Sequence, residues 1–204
     1  MKVKIYVEGG GDRNELRIRC REGFRKLIEK AGFAGPMVEF KPCGGRDQAF
    51  DNFKTAIKTR EPTEYPILLV DSEDPIAANT TPWKHLRLRP GDNWIRPQRV
   101  SDDQTQLMVT CMETWIMADR AALRDFFESK LQESALLPEA DLEQYDRHRV
   151  QDVLEHATRN CGRKKAYKKG KRSFQVLEAL NPDTLKQRLP HFKRFIETLE
   201  MHLR

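Results

Sequence analysis

The chain has 204 residues, of which 38% are hydrophobic and 33% charged. This length suits one domain with a sizeable core, and the composition is not that of a disordered chain. No stretch approaches the roughly 18–20 consecutive apolar residues of a membrane helix, and Met1–Ile5 is too short and too mixed for a signal peptide. We therefore expect a cytoplasmic protein whose four cysteines are reduced, buried thiols.

The net charge is +6, from 37 Lys and Arg against 31 Asp and Glu. Eight cations and no acid fall within residues 159–172, here called the basic segment, and removing these eight charges from +6 leaves −2 for the rest. A segment of this kind predicts an anion-binding patch with nucleic acid as partner, and the alternative is a solvated loop. Its cations are Arg159, Arg163, Lys164, Lys165, Lys168, Lys169, Lys171 and Arg172.

The first half of the chain alternates between two apolar patterns. Short β-type runs predict strands at Val3–Val7, Met37–Phe40 and Pro66–Val70, and helical spacing predicts helices from Asp12 to Ala31 and after Gly44-Gly45. This β-α-β-α-β order predicts an α/β fold with a mostly parallel central sheet flanked by helices. The third run is apolar throughout, which indicates a central strand covered on both faces.

The second half begins with a long loop, from Ser72 to Ser101, that is rich in proline. A fourth strand is predicted at Leu107–Met112, followed by a helical pattern from Ile116 to Phe127. Beyond Pro138 the sequence is helical and strongly charged. We therefore expect a catalytic core over residues 1–120 and a helical C-terminal region over residues 121–204 that packs on it.

Carboxylates directly follow two of the predicted strands. Glu8 comes after the first strand, and Asp71 comes after the third, with Glu73 close behind. The carboxyl ends of neighbouring parallel strands form the ligand crevice of an α/β sheet, so these side chains are expected to converge. A hard divalent cation relieves the repulsion between such carboxylates, and ligation by oxygen alone favours Mg²⁺ or Mn²⁺ over zinc. The alternative is that each acid is a helix cap or a surface residue.

Further residues near these strand ends are candidates for the same site. Glu113, after the fourth strand, can extend it, and Asp12 can complete a second cation position. Gly9-Gly10-Gly11 lets the backbone turn sharply beside Glu8 and leaves room for a phosphate. The glycine run is not a P-loop, because no Gly-Lys-Ser/Thr follows, and Asn14 stands where a dinucleotide-binding fingerprint needs Gly or Ala.

Arginines recur every four residues along the first predicted helix, at positions 13, 17, 21 and 25. Arg13, Arg17 and Arg21 are candidate phosphate contacts on a nucleic-acid track, and Arg46 after Gly44-Gly45 is a further candidate. The alternative is an ordinary solvated helix face, with glutamates on the same helix as partners.

Two tryptophans, Trp83 and Trp94, lie among cations in the long loop. They are candidates either to stack on unpaired bases or to pin the loop to the core. His85, in the same loop, is either a proton shuttle or a structural residue.

Val7-Glu8-Gly9-Gly10-Gly11-Asp12 resembles the first motif of the Toprim fold, and Leu69-Val70-Asp71-Ser72-Glu73 resembles its second motif, with Glu73 in place of the second Asp. Trp83-Lys84-His85-Leu86, Arg89-Pro90-Gly91-Asp92 and Met112-Glu113-Thr114-Trp115 resemble a family of uncharacterised bacterial Toprim-like proteins, relatives of the OLD-type nucleases. Many of its members are encoded beside AAA or ABC-type ATPases in phage-defence clusters. The resemblance extends from Lys2 to about Phe195.

The resemblance implies a Toprim-like, Rossmann-like core that cleaves or joins phosphodiesters with Mg²⁺ or Mn²⁺. Glu8 would be the general acid or base and a metal ligand, and Asp71 and Glu73 would be metal ligands, with Asp74 as the alternative to Glu73. In related nucleases with two metals, further carboxylates and a late lysine assist, and these roles would fall to Glu113 and to Lys168 or Lys169.

The leading hypothesis from the sequence is a Mg²⁺-dependent nuclease acting on DNA or RNA, in anti-phage defence, under the control of an ATPase partner. Arg163, Lys164, Lys165, Lys171 and Arg172 of the basic segment would contact the substrate backbone. The second hypothesis is a non-catalytic nucleic-acid-binding or regulatory subunit, and the third is an enzyme on a small phosphorylated ligand. Self-association into a homo-oligomer is left open.

Overall fold

A computed structural model of the chain describes residues 1–162 and 166–203. The strands are β1 (Lys2–Val7), β2 (Val38–Pro42), β3 (Glu64–Asp71) and β4 (Thr105–Met108). The α-helices are α1 (Asn14–Lys30), α2 (Arg46–Thr59), α3 (Pro82–Leu88), α4 (Met112–Ala118), α5 (Arg120–Phe127), α6 (Arg147–Thr158), α7 (Lys171–Leu177), α8 (Pro182–Arg188) and α9 (Pro190–Leu203).

The four strands form one sheet in the order β2-β1-β3-β4, and every neighbouring pair is parallel. The predicted α/β architecture is therefore present. The last residue of β1 lies beside Leu69 of β3, and the Glu8 N–H donates to the Leu69 carbonyl at 2.9 Å. This register brings the residues that follow β1 next to those that end β3.

Alternate residues of β3 face two separate apolar clusters. Ile67 and Leu69 belong to the larger cluster, with α1, α4 and α9, whereas Leu68 and Val70 belong to the smaller one, with α2 and α3. Because both faces are covered by helices, the strand is apolar at successive positions. This confirms the prediction of a central strand made from the run Pro66–Val70.

Helix α7, from the C-terminal region, packs closely against α1. A Cβ atom added to Gly23 of α1 would lie 2.8 Å from the carbonyl oxygen of Phe174, so the glycine permits the approach of the two backbones. Phe174 thereby reaches the end of the sheet where β1 and β3 finish. The division into residues 1–120 and 121–204 remains a prediction.

Three predicted boundaries were wrong. Helix α1 begins at Asn14, after Arg13 in the capping position, so Asp12 lies outside the helix and does not cap it. The predicted strand Leu107–Met112 ends at Met108, and Glu113 lies in the first turn of α4 rather than behind a strand. The helical pattern from Ile116 to Phe127 belongs to two helices, because Asp119 ends α4 and caps α5 through the Ala122 N–H at 3.0 Å.

The long loop contains a helix, α3, capped by the side chain of Thr81. All four cysteines are among the described residues, and they are buried and form no disulfide. Within the described residues, the structure has no helix with both the length and the apolar character needed to cross a membrane.

Candidate metal and nucleotide site

Three carboxylates meet at the carboxyl end of the sheet. One oxygen each from Glu8, Asp71 and Glu73 lies within 4.8 Å of the others. Asp71 is 7% exposed, and the side chains of Glu8 and Glu73 are 20% and 12% exposed. Donors of this kind, all of them oxygen, suit a hard divalent cation. The group is therefore able to bind a metal ion.

Glu8 and Asp71 are held by hydrogen bonds from the backbone. The Asp71 N–H donates to Glu8 Oε2 at 3.2 Å, and the Met112 N–H donates to Asp71 Oδ1 at 2.9 Å. Burial raises the pKa of Asp71 well above its usual range, and the nearby charges of Glu8 and Glu113 add to the rise. Burial also raises the pKa of Glu8, although Arg46 and the Asp71 N–H oppose it. Negative charge on this pair is therefore disfavoured unless a cation compensates it.

Glu73 has a strained backbone and paired oxygens. Its φ of 69° is in the left-handed region, at a cost of order 1–3 kcal/mol for a residue other than glycine. Arg89 Nη2 donates to its Oε2 at 2.9 Å, and Arg147 from the start of α6 donates to the same oxygen. The two guanidinium groups neutralise this carboxylate in the absence of a metal.

Arg46 joins the strand ends to the long loop. Its guanidinium donates to both carboxylate oxygens of Asp92 at 2.7 Å, to Glu8 Oε2 at 3.2 Å, and to the carbonyl of Asp71. Burial opposes the charge of Arg46, but the hydrogen bonds to Asp92 and the charges of Glu8, Asp92 and Glu73 together outweigh it and raise the pKa of Arg46. Because its donors are committed to protein acceptors, Arg46 is a structural cation rather than an exposed phosphate contact. Sequence reasoning placed it near the site but missed Asp92, Arg89 and Arg147.

A cavity of about 290 Å³ opens beside the carboxylates. Its floor is the glycine run and Gly44, its polar wall contains Glu8 and Asp71, and its roof is the segment that enters α7. Apolar surface comes from Leu16, Met112 and Phe174. The lining therefore combines charged and apolar side chains.

Glu113 lies in the wall of this cavity with no exposed surface. The hydroxyl of Tyr167 donates to its Oε1 at 2.7 Å, and Gln151 donates to its Oε2 at 3.3 Å. Burial raises the pKa of Tyr167 well above its usual range, and the Glu113 charge adds to it. Glu113 is thus held by neutral donors beside Asp71, outside the group of three. Tyr167 had no signal in the sequence beyond its place in the basic segment.

Lys168 and Lys169 are both exposed, but only Lys169 lines the cavity. Burial opposes the charge of Lys169, but the carboxylates of Glu113 and Asp71 outweigh it and raise its pKa. Among the described residues, no hydrogen bond or ion pair holds the Lys169 ammonium. Its charge is available to a ligand.

The remaining predicted site residues lie apart from the cluster. Asp12 is exposed, and the Asp74 side chain is 58% exposed and pairs with Arg89. Arg13 is exposed, while Arg17 and Arg21 donate to the carbonyls of Gly11 and Phe40. In the basic segment, Lys171 pairs with Glu15, and the Arg172 guanidinium lies 5.7 Å from the centre of the Phe126 ring. Arg163, Lys164 and Lys165 fall outside the described residues.

The loop aromatics are packed inside. Trp83 and Trp94 are buried, and Trp94 stacks on Phe50 at a centroid distance of 4.3 Å. This matches the hypothesis that they pin the loop to the core. His85 Nε2 lies 2.9 Å from the carbonyl of Ser72 and so tethers α3 to the end of β3.

The family model described as a domain of unknown function, DUF4276, matches residues 7–200. The chain therefore belongs to the DUF4276 family. No match was found among curated proteins or among solved structures.

Proposed function

We propose that this member of the DUF4276 family is a nuclease that hydrolyses phosphodiester bonds of DNA or RNA with Mg²⁺ or Mn²⁺ bound by Glu8, Asp71 and Glu73. The observation that carries the proposal is the convergence of these three carboxylates, within 4.8 Å, at the carboxyl ends of adjacent parallel strands. Lys169 lines the adjoining cavity and forms no ion pair with any residue that the structure describes.

A bound divalent ion would polarise a phosphoryl oxygen and favour formation of hydroxide from water. The chain's own residues do the rest. Asp71 is fixed by the Met112 N–H, so its oxygen keeps one direction. Lys169 faces the same cavity and can neutralise charge that develops on the phosphate. The resemblance to Toprim enzymes assigns Glu8 the role of general acid or base.

The likeness to the Toprim fold rests on the same residues. Glu8 after β1 and Asp71 at the end of β3 lie on neighbouring strands, as the two motifs require. A role in anti-phage defence, with an AAA or ABC-type ATPase as partner, rests on the resemblance alone. Copurification with the product of an adjacent ATPase gene tests that part of the proposal.

A second candidate function is a non-catalytic binding or regulatory subunit. It is favoured by the pairing of Glu73 with Arg89 and Arg147, which balances its charge without a metal. Such a chain would keep the crevice as a structural feature and bind nucleic acid elsewhere.

Cleavage assays separate the two functions. Purified protein is incubated with plasmid, linear duplex, single-stranded DNA and RNA in the presence of Mg²⁺ or Mn²⁺. We expect cleavage that the double variant Glu8→Gln, Asp71→Asn reduces at least about a hundredfold, the scale on which loss of one catalytic contact is felt. The matched control is Asp12→Asn, an exposed acid outside the cluster. Cleavage that survives in the double variant would refute the assigned site, and binding without cleavage would support the second function.

A further inference from the structure

The cavity beside the carboxylates is small and closed on several sides. Its volume of about 290 Å³ is at the lower end of the roughly 300–1,000 Å³ range for small-ligand pockets. The segment from Lys169 to Phe174 roofs it, and the close approach of α7 to α1 at Gly23 fixes that roof. One nucleotide-sized group fits such a volume, but two paired strands do not.

The lining also has the chemistry of a nucleotide pocket. Lys169 supplies a positive charge that forms no hydrogen bond or ion pair within residues 1–162 and 166–203, and the carboxylates supply the proposed metal site. Leu16, Met112 and Phe174 of the same lining give an apolar surface of the kind on which a base packs, and Phe174 supplies an aromatic ring. A free inorganic phosphate would leave that surface unused.

Two glycines of the cavity lining, Gly11 and Gly170, leave space that a side chain would occupy. A Cβ atom added at Gly11 would have only Leu16 within reach, at 3.8 Å, and one added at Gly170 would meet nothing within 4 Å. Neither glycine is therefore required by close packing of the chain at that point, although both have positive φ. Both positions border open volume in the cavity.

We propose that the cavity binds a single nucleoside monophosphate group, with its phosphate toward Lys169 and the carboxylates and its base against Leu16, Met112 and Phe174. The inference rests on the proposed function and names its substrate class: an unpaired nucleotide, either free or at the end of a single strand. Enzymes that hold a nucleotide in such a pocket act on unpaired substrate or extrude the target from the duplex. Paired internal positions of a duplex do not reach the site.

The test uses a variant that fills the cavity. Leu16→Trp places an indole in the pocket from the first turn of α1, and Ile18→Trp adds the same side chain to an exposed position on the same helix as its control. Binding of AMP, of dCMP and of a short 5′-phosphorylated single strand is measured by calorimetry with Mn²⁺. We expect all three to bind, Leu16→Trp to weaken binding by at least about tenfold, and Ile18→Trp to leave it unchanged. Thermal unfolding checks that both variants fold.

A second pair of variants does not depend on filling space. Lys169→Met is expected to weaken binding of the same ligands by about tenfold, and Lys58→Met, at an exposed position on α2 outside the cavity lining, to leave it unchanged. A strand that binds at least about tenfold tighter than the mononucleotides identifies a strand end as the ligand, and a smaller difference identifies a free nucleotide. Both outcomes support the pocket.

Absence of binding by all three probes, or equal binding by Leu16→Trp and wild type, overturns the inference. The inference is also overturned if wild type and Leu16→Trp both cleave a circular plasmid, which has no ends, at the same measurable rate. The nuclease proposal would survive that result. Nucleotide binding without cleavage of any substrate has the opposite meaning: the pocket stands and the nuclease proposal fails.

Discussion

The two flanks of the carboxylate cluster differ in how their charged side chains are paired. On the flank formed by the start of α2, the long loop and the start of α6, Arg46, Arg89 and Arg147 each bind at least one carboxylate. On the flank formed by the roof of the cavity, Lys169 has no ion-pair partner among the described residues, and Glu113 is held by neutral donors. Charges that are already paired stabilise the fold, whereas unpaired charges are available for a ligand. We therefore propose that the substrate binds on the roof side of the cluster.

The largest expected effect on stability comes from removing Arg46. Arg46→Ala removes the bidentate partner of Asp92, whose side chain is 3% exposed, and leaves it with Arg89 Nη1 at 3.2 Å. Breaking a buried pair in this way costs about 3–5 kcal/mol, so we expect the free energy of unfolding in urea to fall by about 3 kcal/mol. The control is Arg25→Ala, which breaks the exposed pair with Glu29 and should cost less than about 1 kcal/mol. Equal losses in the two variants would show that the loop flank is not held by its ion pairs.

Asp71→Asn should stabilise the metal-free protein, and the gain should depend on pH. Because burial raises the pKa of Asp71, the wild-type protein loses stability as the pH rises from the unfolded-state pKa, about 3.9, through the folded-state pKa. Asparagine carries no charge and still accepts the Met112 N–H. We expect the stability difference between variant and wild type, measured with EDTA, to grow between about pH 5 and pH 8 by about 1–3 kcal/mol. A difference that shrinks as the pH rises would contradict the origin assigned to the charge.

The smallest predicted effect concerns the two arginines, Arg89 and Arg147, that donate to the Glu73 carboxylate. Arg147→Gln removes one of the two guanidinium groups that a metal at Glu73 must compete with. We expect Mn²⁺ to bind about three to ten times more tightly, a change of about 0.7–1.4 kcal/mol. Arg149→Gln, on the same helix at an exposed position, is the control and should leave the affinity unchanged. Weaker binding in Arg147→Gln would mean that the arginine positions Glu73 for the metal instead of competing with it.

The strand-end acids were predictable because parallel strands deliver their carboxyl ends to one edge. The end of β4 was not predictable, because every residue of the following helix, Met112–Ala118, is buried. The segment therefore lacks the periodic spacing of apolar and polar residues that distinguishes a helix from a strand. The pairing of Glu73 with Arg89 and Arg147 was not predicted from the sequence, for another reason. Arg89 and Arg147 are 16 and 74 positions away in sequence, and only the tertiary packing of the long loop and α6 brings them to Glu73.

The basic segment was predictable only as a charge excess. Tyr167 lies within it yet is 4% exposed, because its hydroxyl reaches the buried Glu113. Lys169 faces the cavity while Lys168 is exposed outside it. Composition alone predicts one basic patch. In the fold, Tyr167 is buried, Lys169 lines the cavity and Lys168 lies on the surface outside it.

The most direct test of the account is titration of the purified protein with Mn²⁺ by calorimetry. We expect saturable binding in the wild type, the same binding in Asp12→Asn, and loss of the binding heat in the double variant Glu8→Gln, Asp71→Asn. Binding that is unchanged in the double variant, or no binding in the wild type, would contradict the claim that these carboxylates form a metal site.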